Sequence, residues 1–199
     1  MADEIYLIMN KPCGYVCSAV SDSHKTVYEL LPPELQALVQ GAKRGHRLHT
    51  IGRLDCDTSG LLLFTTDGQF SHKIAAEEGI GGLGLTKTYR VLLKNPLSPE
   101  EKNEYIVKAA AGLTLPPEKK APEQKAGTAS IYFPDQATAD CTITIKEGKF
   151  HEVRRIFRAL GNEVVSLERQ AIGNLFLPQN LKPGQWQKTT IEDLKAMIF

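Results

Sequence analysis

No apolar run in the sequence approaches the roughly 20 residues that a membrane-spanning helix requires. Residues 1–4 are acidic overall and precede only five apolar residues, which is not the build of a secretory signal peptide. These two absences predict a cytoplasmic protein that does not act at a membrane.

Paired metal-ligating cysteines are also missing. Cys13 and Cys17 are four positions apart, whereas Cys56 and Cys141 stand alone. There is no Cys-x-x-Cys pair and no matching pair of histidines, so the spacing does not fit a zinc site. The sequence predicts free thiols in a reducing compartment and no bound metal.

The chain has no large excess of charge. Its 24 lysine and arginine residues nearly balance its 23 aspartate and glutamate residues, which leaves a formal net charge of +1. A nucleic-acid partner would therefore be held by local clusters of positive charge. Residues 43–53 are such a cluster, because this segment contains lysine, arginine and histidine without one acidic residue.

With 199 residues, 42% of them hydrophobic, the chain has the size and composition of one soluble globular domain. Apolar or alternating runs predict strands at residues 5–9, 61–66, 87–93, 141–145, 164–167 and 172–177. A capping serine followed by proline and glutamate predicts a helix over 98–111, and the composition of 116–128 predicts a solvated linker. Strands and helices without regular alternation predict an α+β fold.

An apolar stripe at i, i+3, i+4 and i+7, formed by Val153, Ile156, Phe157 and Leu160, predicts a helix over residues 151–160. The basic side chains of this helix are His151, Arg154, Arg155 and Arg158. Because the stripe faces the core, the three arginines are expected to point elsewhere, where they can bind phosphate or pair with a carboxylate. A solvated basic face is the alternative.

The segment 52–60 places Asp55 and Asp57 between the basic cluster and the predicted strand at 61–66. A carboxylate on a loop that a rigid strand positions is suited to act as a nucleophile or general base. A plain turn capped by Asp57 or Thr58 is the alternative. Local sequence does not choose between the two aspartates.

Five motifs follow one another along the chain. They are LIMNKPCG at 7–14, GRLDCDTSGLL at 52–62 with TDG at 66–68, KTYRV at 87–91, EGKFHEVRR at 147–155, and LERQAIG at 167–173 with LKPG at 181–184. In this order they resemble the RsuA-type ribosomal RNA pseudouridine synthases over essentially the whole chain. One such motif alone is a weak signal, whereas five collinear motifs are specific.

The resemblance implies isomerisation of a uridine in RNA to pseudouridine, with no cofactor and no metal. It implies the pseudouridine synthase fold, a central mixed and mostly antiparallel sheet with flanking helices and a catalytic cleft between two halves. It also implies that Asp55 is the catalytic carboxylate, Tyr89 the active-site tyrosine and Arg154 the basic residue that pairs with Asp55. Attack on C1′, assistance in loss of the C2′ proton, and attack on C6 remain alternative roles for the carboxylate.

The expected partner is ribosomal RNA or a ribosomal assembly particle, most closely the small-subunit (16S) rRNA, bound by a monomeric enzyme. Large-subunit (23S) rRNA as substrate, and a catalytically idle RNA-binding assembly protein, are the alternatives. The expected RNA-binding residues are Arg44, Arg47, Arg53, His151, Arg155 and Arg158. Many members of the family carry an N-terminal S4 domain, whereas this sequence begins almost at the opening strand, so a catalytic domain without S4 is expected.

Overall fold

A computed structural model describes residues 4–40, 46–76 and 85–198 of the chain. Arg44, predicted to bind RNA, lies outside these residues. The strands are β1 (Tyr6–Lys11), β2 (Tyr15–Val16), β3 (Lys25–Thr26), β4 (His49–Ile51), β5 (Ser59–Thr65), β6 (Lys87–Leu93), β7 (Thr114–Leu115), β8 (Gln124–Lys125), β9 (Ser130–Tyr132), β10 (Asp140–Ile145), β11 (Val164–Ile172), β12 (Leu175–Phe176) and β13 (Trp186–Thr189). The helices are α1 (Pro33–Gln40), α2 (Gly68–Ala76), α3 (Pro99–Ala111), α4 (Glu152–Ala159) and α5 (Ile191–Ile198), with a 3-10 helix at Val27–Leu30.

Two compact units make up the chain. Unit 1 contains residues up to 85 and from 171 onward, and unit 2 contains residues 86–170. The strand pairs whose register is resolved are antiparallel except for β2 with β3. The predicted α+β class, with a mixed and mostly antiparallel sheet and flanking helices, is confirmed.

In unit 1, strand β1 lies between β13 and β5 and is antiparallel to both. Strand β5 also pairs with β4, so it has neighbours on both sides, and Gly60 to Thr65 are all buried. A strand covered on both faces needs apolar side chains at every position, which explains why its sequence is a continuous run rather than an alternation. The core of this unit also takes residues from β1, α2, β12 and α5, among them Ile8, Phe70, Leu175 and Leu194.

In unit 2, the strand order is β11-β6-β10-β9. The predicted alternation is confirmed, because Tyr89 and Val91 on β6, and Ile143 and Ile145 on β10, are buried while their neighbours are less so. Helix α3 begins as predicted, with Ser98 Oγ accepting from Glu101 N (3.2 Å) while Glu101 Oε2 accepts from Ser98 N (2.8 Å). This reciprocal capping satisfies two backbone N–H groups of the first turn.

The prediction of two short strands at 164–167 and 172–177 was wrong. One nine-residue strand, β11, runs through the polar residues between them, and β12 covers only Leu175–Phe176. Burial along β11 still alternates, but Arg169 occupies a buried position between Leu167 and Ala171. A charged side chain on the buried face breaks the hydrophobic alternation that marks a strand.

Residues 116–128, predicted to be a solvated linker, are a packed part of unit 2. Strands β7 and β8 pair with each other, with Leu115 opposite Gln124, and a further bridge joins Glu118 to Ala121. Leu115 and Ala121 are buried. The polar composition of the segment reflects its exposed positions and not an absence of structure.

The first residue of α4, Glu152, has a buried carboxyl group. Its Oε2 accepts a hydrogen bond from Lys149 N (2.9 Å), and Lys149 Nζ is paired with Glu147. Burial, with a smaller contribution from the nearby Glu147 carboxylate, raises the pKa of Glu152 to about 7, although the hydrogen bond from Lys149 N and the Lys149 charge oppose this shift. Glu152 therefore keeps its proton in the folded protein at pH values where the unfolded chain has lost it.

We predict that the stability of the Glu152→Gln variant, measured relative to that of the wild type, increases as the pH rises. The ordinary pKa of 4.5 is raised on folding, so the wild type loses stability as the pH rises from about 5 through the folded pKa of about 7. Glutamine keeps the hydrogen-bond acceptor and never ionises. The free energy of unfolding of the variant, relative to that of the wild type, should therefore rise by up to about 3 kcal/mol between about pH 5 and pH 8. Urea unfolding of both proteins at the two pH values measures this difference. A difference that does not change with pH would contradict it.

Candidate active site

The loop that carries Asp55 connects β4 to β5 in unit 1. Gly52 has a φ of 68°, which glycine adopts without strain, and Thr58 N donates to the Asp55 carbonyl (3.1 Å) to close a turn. Asp55 is half-buried on this loop, whereas Asp57 is exposed. The two aspartates that local sequence could not tell apart thus occupy different environments.

A buried lysine fixes the backbone of this loop. Lys11, the last residue of β1, has 0% of its surface exposed, and its ammonium donates to the carbonyls of Pro12 (3.1 Å), Asp55 (3.0 Å) and Thr58 (2.8 Å). An ammonium has three protons to donate, so these bonds satisfy it. Burial lowers the pKa of Lys11, while nearby thiols and the Asp55 carboxylate oppose that shift.

Two further contacts hold the same loop against residues 13–17. The Cys17 thiol accepts from Leu54 N and donates to Leu54 O, both at 3.4 Å, and Gly14 N donates to Cys56 O (2.7 Å). The peptide groups on both sides of Asp55 are therefore held by neighbours in unit 1. The backbone that carries the Asp55 side chain is thus held in place without help from a substrate.

Tyr89 and Arg154 belong to unit 2. Tyr89 lies on the buried face of β6, opposite Ile143 of β10, with 8% of its surface exposed. Arg154 is half-buried on α4 and donates from Nη1 to the carbonyl of Val164 (3.0 Å). Asp55 belongs to unit 1, so the expected pairing of Asp55 with Arg154 and the expected cleft stay predictions.

Arg155 was wrongly predicted to bind RNA. It is the largest fully buried side chain among the described residues, and its guanidinium donates to four backbone carbonyls, those of Leu115, Pro116, Pro122 and Phe150. The distances run from 2.6 to 3.4 Å. A planar fork of five N–H donors suits this task, since one side chain can join several loop carbonyls. Arg155 therefore fastens residues 115–122 to the start of α4.

Glu118 holds the other two basic residues of this helix. Arg158 Nη1 donates to Glu118 Oε1 (2.5 Å), and a hydrogen bond joins His151 Nδ1 to Glu118 Oε2 (2.8 Å). Burial alone would raise the pKa of Glu118, but these two hydrogen bonds outweigh burial and hold that pKa below its usual range. The His151 ring also stacks on Phe150, with ring centroids 3.8 Å apart.

Arg47 and Arg53, the remaining predicted RNA-binding residues within the described ranges, are both exposed. Their contact with RNA stays a prediction. Residues 4–40, 46–76 and 85–198 contain no group of three or more histidine, cysteine, aspartate or glutamate side chains able to hold a metal ion. Within the same ranges, no helix is long and apolar enough to cross a membrane.

Sequence reasoning missed two residues that organise these surroundings, Lys11 and Glu118. Lys11 stands at the end of an apolar strand beside Pro12, where it looks like part of a polar turn. Glu118 lies in the segment predicted to be a linker. Neither position has a local signal, because the Asp55 and Thr58 partners of Lys11 and both partners of Glu118 are more than 30 positions away along the chain.

Comparison with known proteins shows what the chain is similar to. Residues 5–159 match the family model described as RNA pseudouridylate synthase. The ribosomal small subunit pseudouridine synthase A of Salmonella typhimurium is 36% identical over 96% of this chain and 73% of that protein. Its namesake from Escherichia coli K12 is 35% identical over 97% of this chain and 74% of that protein. A solved structure titled "Crystal structure of pseudouridylate synthase" has 34% identity and a TM-score of 0.80, over 99% of this chain and 75% of that one.

Replacing Lys11 with methionine is expected to destabilise the Asp55 loop. The apolar stem remains while three carbonyls lose their donor, at a cost of about 1–3 kcal/mol for buried acceptors left unsatisfied. Chemical denaturation of Lys11→Met should show this loss. The matched control is Lys188→Met, which removes an exposed lysine from β13 and should be neutral. Equal stability of the two variants would contradict the anchoring role.

Two arginines of α4, three residues apart, should respond differently to substitution by methionine. Arg155→Met leaves carbonyls on both sides of a packed segment unsatisfied, which should lower the free energy of unfolding by about 3 kcal/mol or more. Arg158→Met breaks one exposed ion pair, worth about 0–1 kcal/mol. Denaturation in urea measures both. Equal losses would show that Arg155 is not a structural anchor.

Proposed function

The chain belongs to the RNA pseudouridylate synthase family, and we propose that its substrate is the ribosomal RNA of the small subunit. The enzyme isomerises uridine in RNA to pseudouridine, as the family and the relatives' names indicate. The observation that carries the choice of substrate is the similarity to small-subunit synthases over 96% of this chain. This similarity favours small-subunit over large-subunit rRNA.

We assign the catalytic carboxylate to Asp55. Moving the glycosidic bond of uridine from N1 to C5 requires a group that helps to detach uracil and hold the fragments while the base turns. Asp55 is half-buried on a loop whose backbone is hydrogen-bonded on both sides, so its carboxylate is positioned before the RNA arrives. Fixed geometry of a reacting group removes part of the entropic barrier to reaction.

Tyr89 is proposed as the residue that contacts the uracil ring. It lies on a strand with neighbours on both sides and is 8% exposed, so its ring orientation is set by β-sheet packing. A base can reach a side chain that is this well covered only after it has left its own stack. In that position the tyrosine can stack on the base and assist proton transfer at C5 or C2′.

The basic residue of the site is proposed to be Arg154. Arg154 and Arg155 are neighbours in the sequence, and both lie in the motif that resembles the family. Arg155 is committed to four backbone carbonyls, which leaves Arg154 as the arginine of this pair to act in the reaction. Its bond to the Val164 carbonyl fixes one end of the guanidinium.

RNA is proposed to be held by Arg44, Arg47 and Arg53 in unit 1 and by His151 and Arg158 in unit 2. Arg47 and Arg53 are exposed, as phosphate-binding side chains must be. Contacts between basic side chains and phosphates release counterions, so the affinity for RNA should fall as the salt concentration rises.

The proposal is tested by Asp55→Asn, with Asp57→Asn as the matched control two residues along the same loop. Asparagine keeps the size of the side chain and removes the charge that catalysis needs. Asp55→Asn should lose pseudouridine formation by at least about a thousandfold while its RNA affinity stays close to that of the wild type. Asp57 is exposed, so Asp57→Asn should keep most of the activity.

Release of tritium from C5-labelled uridine in ribosomal RNA measures both variants. Mapping of pseudouridine in rRNA from cells with and without the gene identifies the subunit. Strong release by Asp55→Asn would overturn the assignment of the carboxylate. A missing pseudouridine in large-subunit rRNA, with small-subunit rRNA unchanged, would overturn the proposed substrate.

A further inference from the structure

Three cysteines lie around the Asp55 loop in unit 1, and they differ in exposure. Cys13 is exposed, Cys56 is half-buried, and Cys17 is buried with its thiol bonded to the backbone of Leu54. A reagent arriving from solvent therefore meets Cys13 first and Cys56 second. Cys56 is also the residue that directly follows Asp55.

Hydrogen bonds bring the backbone of Cys13 close to that of Cys56. Gly14 N donates to Cys56 O at 2.7 Å, and Lys11 Nζ joins the carbonyls of Pro12 and Asp55, the residues just before each cysteine. From the 2.7 Å bond and standard covalent geometry, the Cα atoms of Cys13 and Cys56 are at most about 7.5 Å apart. Disulfides span Cα separations of about 4.4–6.8 Å, so closure needs little movement of the backbone.

The positive charge of Lys11 also acts on the thiols around it. It interacts electrostatically with the side chains of Cys13, Cys17 and Cys56 as well as with Asp55. The thiolate is the form in which cysteine attacks an oxidant. Burial raises the pKa of the Cys141 thiol in unit 2 to about 12, and Cys141 therefore serves as a control cysteine outside the Asp55 loop.

We propose that Cys13 and Cys56 are a redox modification site that closes to a reversible disulfide and holds the Asp55 loop in an inactive state. The oxidant is a peroxide. The Cys13 thiolate attacks one peroxide oxygen, the O–O bond breaks, and Cys13 becomes a sulfenic acid as hydroxide leaves. The Cys56 thiol then attacks the sulfenic sulfur, an S–S bond forms, and the hydroxyl leaves with the thiol proton as water. The two electrons that the sulfurs lose together reduce the peroxide.

The bond would draw residue 56 toward residue 13 and so displace the neighbouring Asp55. A misplacement of a reacting group by about 1 Å can cost about a hundredfold in rate. This effect on activity rests on the proposed function. Formation of the disulfide does not, because it can be measured without any RNA.

The first test is chemical. The wild-type protein is treated with hydrogen peroxide, digested with trypsin under non-reducing conditions and examined by mass spectrometry. Cys13 lies in the tryptic peptide 1–25 and Cys56 in 54–73, so a cross-link between these peptides is expected. Peptide 1–25 also contains Cys17, and the cross-link should therefore disappear in Cys13→Ser. Its absence from the wild type, or its persistence in Cys13→Ser, would overturn the proposal.

The second test measures tritium release before oxidation, after oxidation and after dithiothreitol. Wild type and Cys141→Ser should lose at least about tenfold in rate on oxidation and recover with the reductant. Cys13→Ser should have normal activity and keep it in peroxide. A cross-linked enzyme with undiminished rate would overturn the inactivation. A wild type without activity before oxidation would instead count against the proposed function, while the mass measurement would still decide the disulfide.

Discussion

The contact between the Lys11 ammonium and three backbone carbonyls is the interaction on which the candidate site depends. It joins the end of β1 to both ends of the turn that displays Asp55, the carbonyl of Asp55 itself and that of Thr58. A buried cation is costly unless its protons are all donated, and here the three donors match three acceptors. The three hydrogen bonds that compensate for burial of the Lys11 ammonium thus also fix the backbone of the Asp55 loop.

Arg155 has a similar structural role in unit 2, where a guanidinium takes the place of the ammonium. A guanidinium reaches four carbonyls, those of Leu115, Pro116, Pro122 and Phe150, and so joins segments that are distant along the chain. In both units a basic residue in the interior replaces hydrophobic packing as the means of ordering irregular backbone. Replacing either one removes several hydrogen bonds at once, so these positions tolerate less than the arginines and lysines on the surface.

Features with a local signal were predicted from the sequence, and features that depend on distant partners were not. The cap of α3, the alternation of β10 and the stripe of α4 each lie within a few residues, and all three are confirmed. The stripe showed which face of α4 is apolar but did not reveal that Arg155 points inward, because three of the four carbonyls that it binds come from residues 115–122. Similarly, Asp55 and Asp57 look alike in the local sequence; family resemblance favours Asp55, and the fold distinguishes them through different degrees of burial.

Glu118 has a consequence for the proposed binding of RNA at α4. The Glu118 carboxylate is already hydrogen-bonded to Arg158 and His151. A phosphate that binds these two side chains must therefore replace the carboxylate as their partner. Such an exchange gains little for an RNA backbone that passes at random, because the lost carboxylate contact offsets the new one. Only an RNA whose shape places a phosphate within reach of both basic side chains gains from the exchange. Under the proposed binding mode, the carboxylate between these two basic side chains would make binding depend on the shape of the RNA and not only on its charge.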